Sequence, residues 1–208
     1  MLPTDANAGP PLRRRDLDPD PFRLFDAWFR EAQESEGIYP EAMTLATVRE
    51  DGSPAARVVL MKELDERGIV FYTNYESHKA DEMGRTGKAS LVFWWRSVQR
   101  QVRIEGSVEK VTPEESDEYF ATRPRGSQLS AWASHQSAAI GSRRELEDRM
   151  VEYLEKFHHQ DVPRPPHWGG YRVVPERWEF WQGRADRLHD RFEYLPSGNG
   201  WEIRRLAP

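Results

Sequence analysis

Cysteine is absent from the 208 residues, which excludes disulfides, thiolate zinc sites, iron–sulfur clusters and cysteine nucleophiles together. Long apolar runs are missing too. Leu91-Val92-Phe93-Trp94-Trp95 is among the longest, against the ~18 residues that a membrane span needs. The first eleven residues carry no apolar signal region. These absences lead us to expect a soluble, cytoplasmic protein with no membrane partner. An excess of positive charge is also lacking: 30 Lys plus Arg stand against 35 Asp plus Glu, a formal −5. A general polyanion binder carries an overall basic face, so no nucleic-acid partner is expected. Dinucleotide and P-loop glycine motifs and a G-x-S-x-G nucleophile element do not occur. His135 and His167 have no acidic or histidine partner at a metal spacing, and His158-His159 reads as a solvated helix end, so no metal is expected. Aromatics are abundant instead: 8 Trp, 9 Phe and 7 Tyr. They bury large areas and also wall in flat ligands.

Residues 1–20 read as a flexible tail, and residues 21–208 as one domain. Asp20-Pro21 predicts a capped helix start. Phe22, Phe25, Trp28, Phe29 and Ala32 follow at helical spacing, a stripe assigned to the core, and Gly37 ends the helix. Strands are predicted over 43–49 and 55–62 around the Asp51-Gly52 turn, then over 69–74, 89–95 and 99–111. Ser77 opens a short helix to Met83. Thr112-Pro113-Glu114-Glu115 is a capping box for a helix to about Arg123, and Ser142-Arg143-Arg144-Glu145 is a second box. Leu146, Met150, Leu154 and Phe157 mark the buried face of that later helix. Strands at 171–174, 177–182, 188–194 and 201–206 follow the proline-rich loop 161–170. Hairpin-spaced strands with inserted helices argue for an α+β fold around an antiparallel barrel.

Four constellations could carry chemistry. Arg57 and Lys62 end an apolar strand segment at an odd separation, so they leave opposite faces, as solvated ends or as partners of two different anions. Ser77, His78 and Lys79 stand at a helix N-terminus, either a phosphate seat or an ordinary capped surface helix. Tyr119, Arg123 and Ser127, at four-residue spacing, offer donors suited to a dianionic phosphate, or surface packing. Arg187, His189 and Arg191 alternate along a predicted strand beside Trp181. Three potentially cationic groups on one face repel one another unless an anionic or electron-rich ligand lies against them, solvated edge-strand charges being the alternative.

In their order along the chain, Arg13-Arg14-Arg15-Asp16-Leu17, 57–62, Phe71-Tyr72-Thr73-Asn74, Arg100-Gln101-Val102, 119–127, Gln136-Ser137, Phe180-Trp181-Gln182-Gly183, Arg187-Leu188-His189-Asp190-Arg191 and the terminal Arg205-Leu206-Ala207-Pro208 closely resemble the pyridoxine/pyridoxamine 5′-phosphate oxidase family. The resemblance spans roughly residue 13 to the C-terminus. It implies an FMN-binding split β-barrel with peripheral helices, forming a homodimer with FMN at the interface. It further implies oxidation of pyridoxine 5′-phosphate and pyridoxamine 5′-phosphate to pyridoxal 5′-phosphate, with hydride passing from C4′ to flavin N5 and O₂ returning H₂O₂. Carried over, Arg57, Lys79 and the adjoining His78 fall at the FMN phosphate. Val58, Val59, Leu60, Met61 and Lys62, with Tyr72 and Thr73, line the flavin. Gln101, Gln136, Ser137, Trp181 and Arg191 complete that pocket, several from the partner chain. Lys62, Tyr119, Arg123 and Ser127 take the substrate phosphate, and Arg187 and His189 lie over its ring as the catalytic pair. On this reading Arg57 and Lys62 serve one phosphate each. His78 stands where the family usually has Arg. Thr4-Asp5-Ala6-Asn7 replaces a basic segment that closes over substrate in bacterial members. Another split-barrel oxidase or reductase of phenazine type, or a non-catalytic flavin or vitamer binder, are the alternatives.

Overall fold

Period-two burial runs through the middle of the chain, and the structure, a computed structural model that describes residues 9–208, turns it into one antiparallel sheet. β1 (Ala42–Val48) and β2 (Pro54–Leu60) form the expected hairpin, with Gly52 at φ +81° in the turn. Glycine adopts this left-handed geometry without steric cost. β3 (Glu63–Asp65), β4 (Gly68–Asn74), β5 (Lys88–Trp95) and β6 (Arg100–Lys110) follow. β7 (Trp168–Gln182), β8 (Asp190–Ser197) and β9 (Gly200–Leu206) complete the sheet. Its order is β2-β1-β5-β6-β7-β4-β3, with β8 also on β7 and β9 on β8. Met61 N–H donates to Glu41 O at 3.0 Å and Lys62 N–H to Val70 O at 2.8 Å. Two consecutive residues thus tie the β1 side to the β4 side and curl the sheet into a half-barrel.

β7 is shared between neighbours: residues 168–173 pair with β4, residues 178–182 with β8, and β6 lies along the opposite edge. The sequence reading divides this strand at Pro175, but the structure keeps it continuous. Pro175 falls at a bulge where β6 shifts register between Glu105 and Gly106, a place where a missing N–H is tolerated. A Cβ on Gly106 would collide with the Val174 carbonyl oxygen and come within 2.8 Å of its carbon. Gly106→Ala is therefore expected to cost about 2–3 kcal/mol, read as a melting-temperature drop of roughly 5–10 °C. An unchanged melting temperature would show that the bulge relaxes freely.

α1 (Pro21–Ser35) starts as predicted, with the Asp20 carboxylate accepting from Phe22 N–H at 3.0 Å. Its aromatic stripe is core: Phe25 meets Phe93 edge-on at 5.0 Å and Trp28 meets Phe180 edge-on at 5.2 Å. Burying each such ring contributes about 1.5–3 kcal/mol. A smaller core holds Phe120, Leu129, Phe157, Val162 and Trp168 under three helices. These are α3 (Pro113–Thr122), α4 (Arg125–Ala133) and α5 (Arg143–Lys156), and α2 (His78–Thr86) lies between β4 and β5. The Thr112/Glu115 box closes in both directions at 2.8 and 3.1 Å. Only half of the second box forms. Glu145 N–H donates to Ser142 Oγ, while the Glu145 carboxylate accepts from Gly141 N–H instead. Leu154, assigned to a buried face, is exposed, and Leu146 and Met150 are half-buried at a cavity wall.

The predicted tail 1–20 includes a docked segment. Leu12 and Leu17 are buried in the main core. Leu12 N–H donates to Asp190 Oδ2 at 3.1 Å, and Tyr194 Oη–H to Asp18 O at 2.8 Å. Two leucines flanking an arginine run are enough to dock the segment. Thr4-Asp5-Ala6-Asn7 lies outside the described residues.

Candidate active site

β4, the start of α2, the end of α3, α4 and α5 surround a cavity of about 660 Å³. Lys62, Lys79 and Arg123 line it, with Val58, Val59, Leu60, Tyr72, Thr73, Gln136 and Trp168, and no Asp or Glu does. None of the three cations has an ion pair among the described residues, although ion pairs are frequent elsewhere, as at Arg172 with Asp65 and Arg103 with Glu179. Unneutralised cations gathered in a concave, half-apolar space make a site for an anion.

At one end, Lys79 Nζ donates to Gln136 Oε1 (2.7 Å), Thr73 Oγ1 (3.1 Å) and Ser77 Oγ (3.1 Å). Burial, then the neighbouring Arg57 charge, lowers the Lys79 pKa to about 8. Ser77 occupies the predicted N-cap position without capping: its hydroxyl donates to Asn74 O. His78 N–H donates to Ser137 Oγ at 3.3 Å. The His78 ring instead lines a separate surface hollow with Arg49, Asp81 and Arg85, so the imidazole is not delivered to the cavity. Arg57 is half-buried beside Lys79 but does not line the cavity. Its guanidinium is held by the buried Glu82 carboxylate at 2.8 Å and by Thr47 Oγ1.

At the other end, Tyr119 stacks on Tyr72 with ring centroids 4.0 Å apart, and Arg123 lies over the Trp168 ring at 4.5 Å. Arg123 Nη1 is buried without a hydrogen-bond partner. Burial lowers the pKa of its guanidinium, and that of the Tyr119 hydroxyl is raised for the same reason. Ser127, predicted here, sits in the first turn of α4 and does not line the cavity, where Ser130 and Ser134 stand instead. Sequence reading missed α4, whose signal was Leu129, Trp132 and Ala133 at helical spacing after Pro124. It also missed Trp168 and Asn74. Met61 is buried in the core, while Val58, Val59 and Leu60 line the cavity.

Gln101, Trp181 and Arg191 face another way. Trp94, Gln101, Trp181 and Arg191 follow one another across β5 to β8 on the outer sheet face, and Trp94 is half exposed. Arg191 donates to Glu179 at 2.8 Å and to Ala207 O. The expectation that Arg187, His189 and Arg191 alternate along one strand face fails. Residues 185–187 form a 3₁₀ turn with Asp186 and Arg187 at φ +55° and +60°, and β8 begins only at Asp190. His189 Nδ1 accepts from Arg184 N–H at 3.1 Å, which leaves Nε2 to carry the proton of the neutral ring. Its ring packs on Trp181 at 4.5 Å. Gly170, opposite Tyr72, and Trp181 lie eleven residues apart on β7, roughly 35 Å of strand contour. One chain thus carries two groups of predicted site residues on separate surfaces.

A curled antiparallel half-barrel with an anion-selective cavity at its wall defines a split-barrel protein of the flavin-binding class. The family model described as pyridoxamine 5′-phosphate oxidase matches residues 29–157, and that of the pyridoxine 5′-phosphate oxidase C-terminal dimerisation region matches residues 168–208. The chain belongs to the pyridoxine/pyridoxamine 5′-phosphate oxidase family and is an oxidoreductase of that family. It is 56% identical over 198 residues to the pyridoxine/pyridoxamine 5′-phosphate oxidase of Gloeothece citriformis, covering 95% of this chain and 92% of that protein. It is 56% identical over 200 residues to the enzyme of the same name from Burkholderia thailandensis, covering 95% and 93%. Among solved structures, PhzG from Burkholderia lata 383, in complex with tetrahydrophenazine-1-carboxylic acid, superposes with a TM-score of 0.89 at 32% identity, covering 97% of this chain and 100% of that one. An FMN-binding protein of Nostoc punctiforme shares the fold at a TM-score of 0.72 and 17% identity, covering 92% and 100%. Family membership makes FMN the cofactor. The residues fit it: the phosphate of FMN needs cations free of carboxylates, and Lys79 supplies one, cradled by Thr73, Ser77 and Gln136.

Proposed function

We propose that the protein oxidises pyridoxine 5′-phosphate and pyridoxamine 5′-phosphate to pyridoxal 5′-phosphate. The observation that carries the proposal is the cavity with two separated cation groups, Lys79 at one end and Lys62 with Arg123 at the other, and no acid between them. That is the charge pattern for two phosphorylated molecules lying together, one cofactor and one substrate. FMN would supply the hydride acceptor for C4′, O₂ would take the two electrons and two protons on as H₂O₂, and with the amine substrate water would hydrolyse the resulting imine and release ammonia. The chain's own groups do the rest. Lys79 and Thr73 anchor the cofactor phosphate, with Arg57 held beside them by Glu82. Lys62, Tyr119 and Arg123 anchor the vitamer phosphate, and fixing both ends brings the reacting carbon to the ring face. Arg187 and His189 cover the substrate ring. Because they lie on the other surface of the chain, they come from the partner subunit of a homodimer built through β7 to β9. The matched dimerisation region and the outward row Trp94, Gln101 and Trp181 support that arrangement.

Purified protein is expected to be yellow and to convert pyridoxine 5′-phosphate under air to equal amounts of pyridoxal 5′-phosphate and H₂O₂. A yellow protein that forms neither product would overturn the reading. The similarity to PhzG favours one rival, a phenazine-type oxidase. Turnover of a reduced phenazine carboxylate in place of the vitamer would establish it.

A further inference from the structure

We infer that Trp168 is a positioning residue that holds Arg123 for the vitamer phosphate and thereby sets the preference for phosphorylated over unphosphorylated substrate; this deepens the proposed function and rests on it. Trp168 opens β7 opposite Asn74, and its indole is buried. Its ring lies nearly parallel to those of Tyr72 (5.4 Å, 11°) and Tyr119 (6.2 Å, 6°). The Arg123 guanidinium carbon stands 4.5 Å from the indole centroid and 5.6 Å from that of Phe120. Arg123 makes no side-chain hydrogen bond and no ion pair among the described residues, and its Nη1 is buried.

Nearby arginines are treated differently. Arg172, fully buried, is neutralised by Asp65 at 2.6 Å and Glu115 at 3.2 Å, and Arg164 by Asp117 at 2.6 Å. Arg164 also donates to the Trp168 carbonyl at 2.7 Å, which pins the tryptophan backbone. The acids of α3 that pair with arginines are therefore engaged away from Arg123. A half-buried guanidinium needs compensation, and here an aromatic face provides it. The distinction matters for binding. A carboxylate would occupy the N–H donors and cancel the charge, whereas an indole face attracts the cation through its quadrupole and leaves the in-plane donors without a protein acceptor, those beyond the buried Nη1 being the ones a ligand can meet. The flat guanidinium is held in one plane, with its charge intact, at the wall of the cavity. Lysine also sits over aromatic rings, as Lys110 does over Tyr75, but offers no planar fork, so the in-plane donors are particular to Arg.

The test uses FMN-loaded holoenzyme with Trp168→Phe, Trp168→Tyr and Trp168→Leu. For each variant, KM for pyridoxine 5′-phosphate and the ratio of kcat/KM on phosphorylated to unphosphorylated pyridoxine are measured. Competitive inhibition by inorganic phosphate supplies a reading independent of turnover geometry. Trp168→Leu is expected to lower the substrate ratio about tenfold and to weaken phosphate inhibition in parallel, mainly through KM. The Phe and Tyr variants are expected to recover most of both. An equal loss on the two substrates, or Phe and Tyr variants no better than Leu, would overturn the inference and leave Trp168 a packing residue. Should Trp168→Leu not fold, the order Trp, then Tyr and Phe, in KM and phosphate inhibition still decides. Failure of the parent enzyme to oxidise the vitamer is a separate result, which overturns the function and not the Arg123–Trp168 arrangement.

Discussion

Lys79→Ala is expected to raise the dissociation constant for FMN about 30- to 150-fold, so that the protein loses its colour during purification. The magnitude follows from removing one charge-assisted contact to a dianion, about 2–3 kcal/mol. Lys79 is the cation with least help: Arg57 beside it is already paired with Glu82, and the His78 side chain faces another hollow. The same geometry gives a pH dependence whose sign is fixed. Burial and Arg57 hold the free-site pKa near 8, and a bound phosphate favours the charged amine and raises it. Below about pH 8 both states carry the proton and affinity is flat. Above it, binding must take up a proton, and affinity falls by up to tenfold per pH unit. Quenching of FMN fluorescence by apoprotein between about pH 7 and 9.5 reads this directly. A flat profile in the parent protein, or an equally steep one in Lys79→Ala, would remove Lys79 from the phosphate seat.

Arg187→Ala is expected to lower kcat/KM about 10²- to 10³-fold while FMN stays bound, the range for losing a group that orients the reacting partners. Asp186 and Arg187 both adopt left-handed backbone without being glycine, a cost on the order of 1–2 kcal/mol each. Such a turn persists only where its surroundings hold it. Asp190 does so, accepting from Leu12 N–H and Arg205 and lying 3.6 Å from Arg184, while Arg184 also donates to Gly9 O. The docked N-terminal segment and the C-terminal strand therefore brace the loop that presents Arg187. Arg187→Lys is not expected to rescue, because a point charge on a flexible stem does not replace a planar fork. Loss of FMN in Arg187→Ala would instead place this residue in the cofactor pocket.

Much of the fold was legible because local rules agreed with tertiary demand. Asp20-Pro21, Asp51-Gly52 and the Thr112/Glu115 box each formed where the chain signalled them, and the stripe from Phe22 to Ala32 met the sheet. The misreadings share a cause. Pro175 looked like a strand end because the bulge that excuses it is defined only by pairing with β6. Leu12 and Leu17 looked like tail because the groups that hold their segment, Asp190 at Leu12 N–H and Tyr194 at the Asp18 carbonyl, are about 180 residues away in the sequence. Alternation at 187–191 suggested a strand, but the Arg184–His189 hydrogen bond and two left-handed residues make it a turn.

The site divides in the same way. Residue types and spacing by themselves offered cations in two groups and aromatic walls, each open to a reading as solvated ends or surface packing, and only the ordered resemblance to the family turned them toward two phosphates and a flavin. Only tertiary structure decided which cations are free. Arg57 and Arg123 are both arginines beside apolar segments, and nothing local separates them. Folding sets Glu82 against the first and the Trp168 ring against the second, so one is neutralised and the other keeps its charge for a ligand. Charge belongs to a side chain, but its availability depends on what the fold packs beside it.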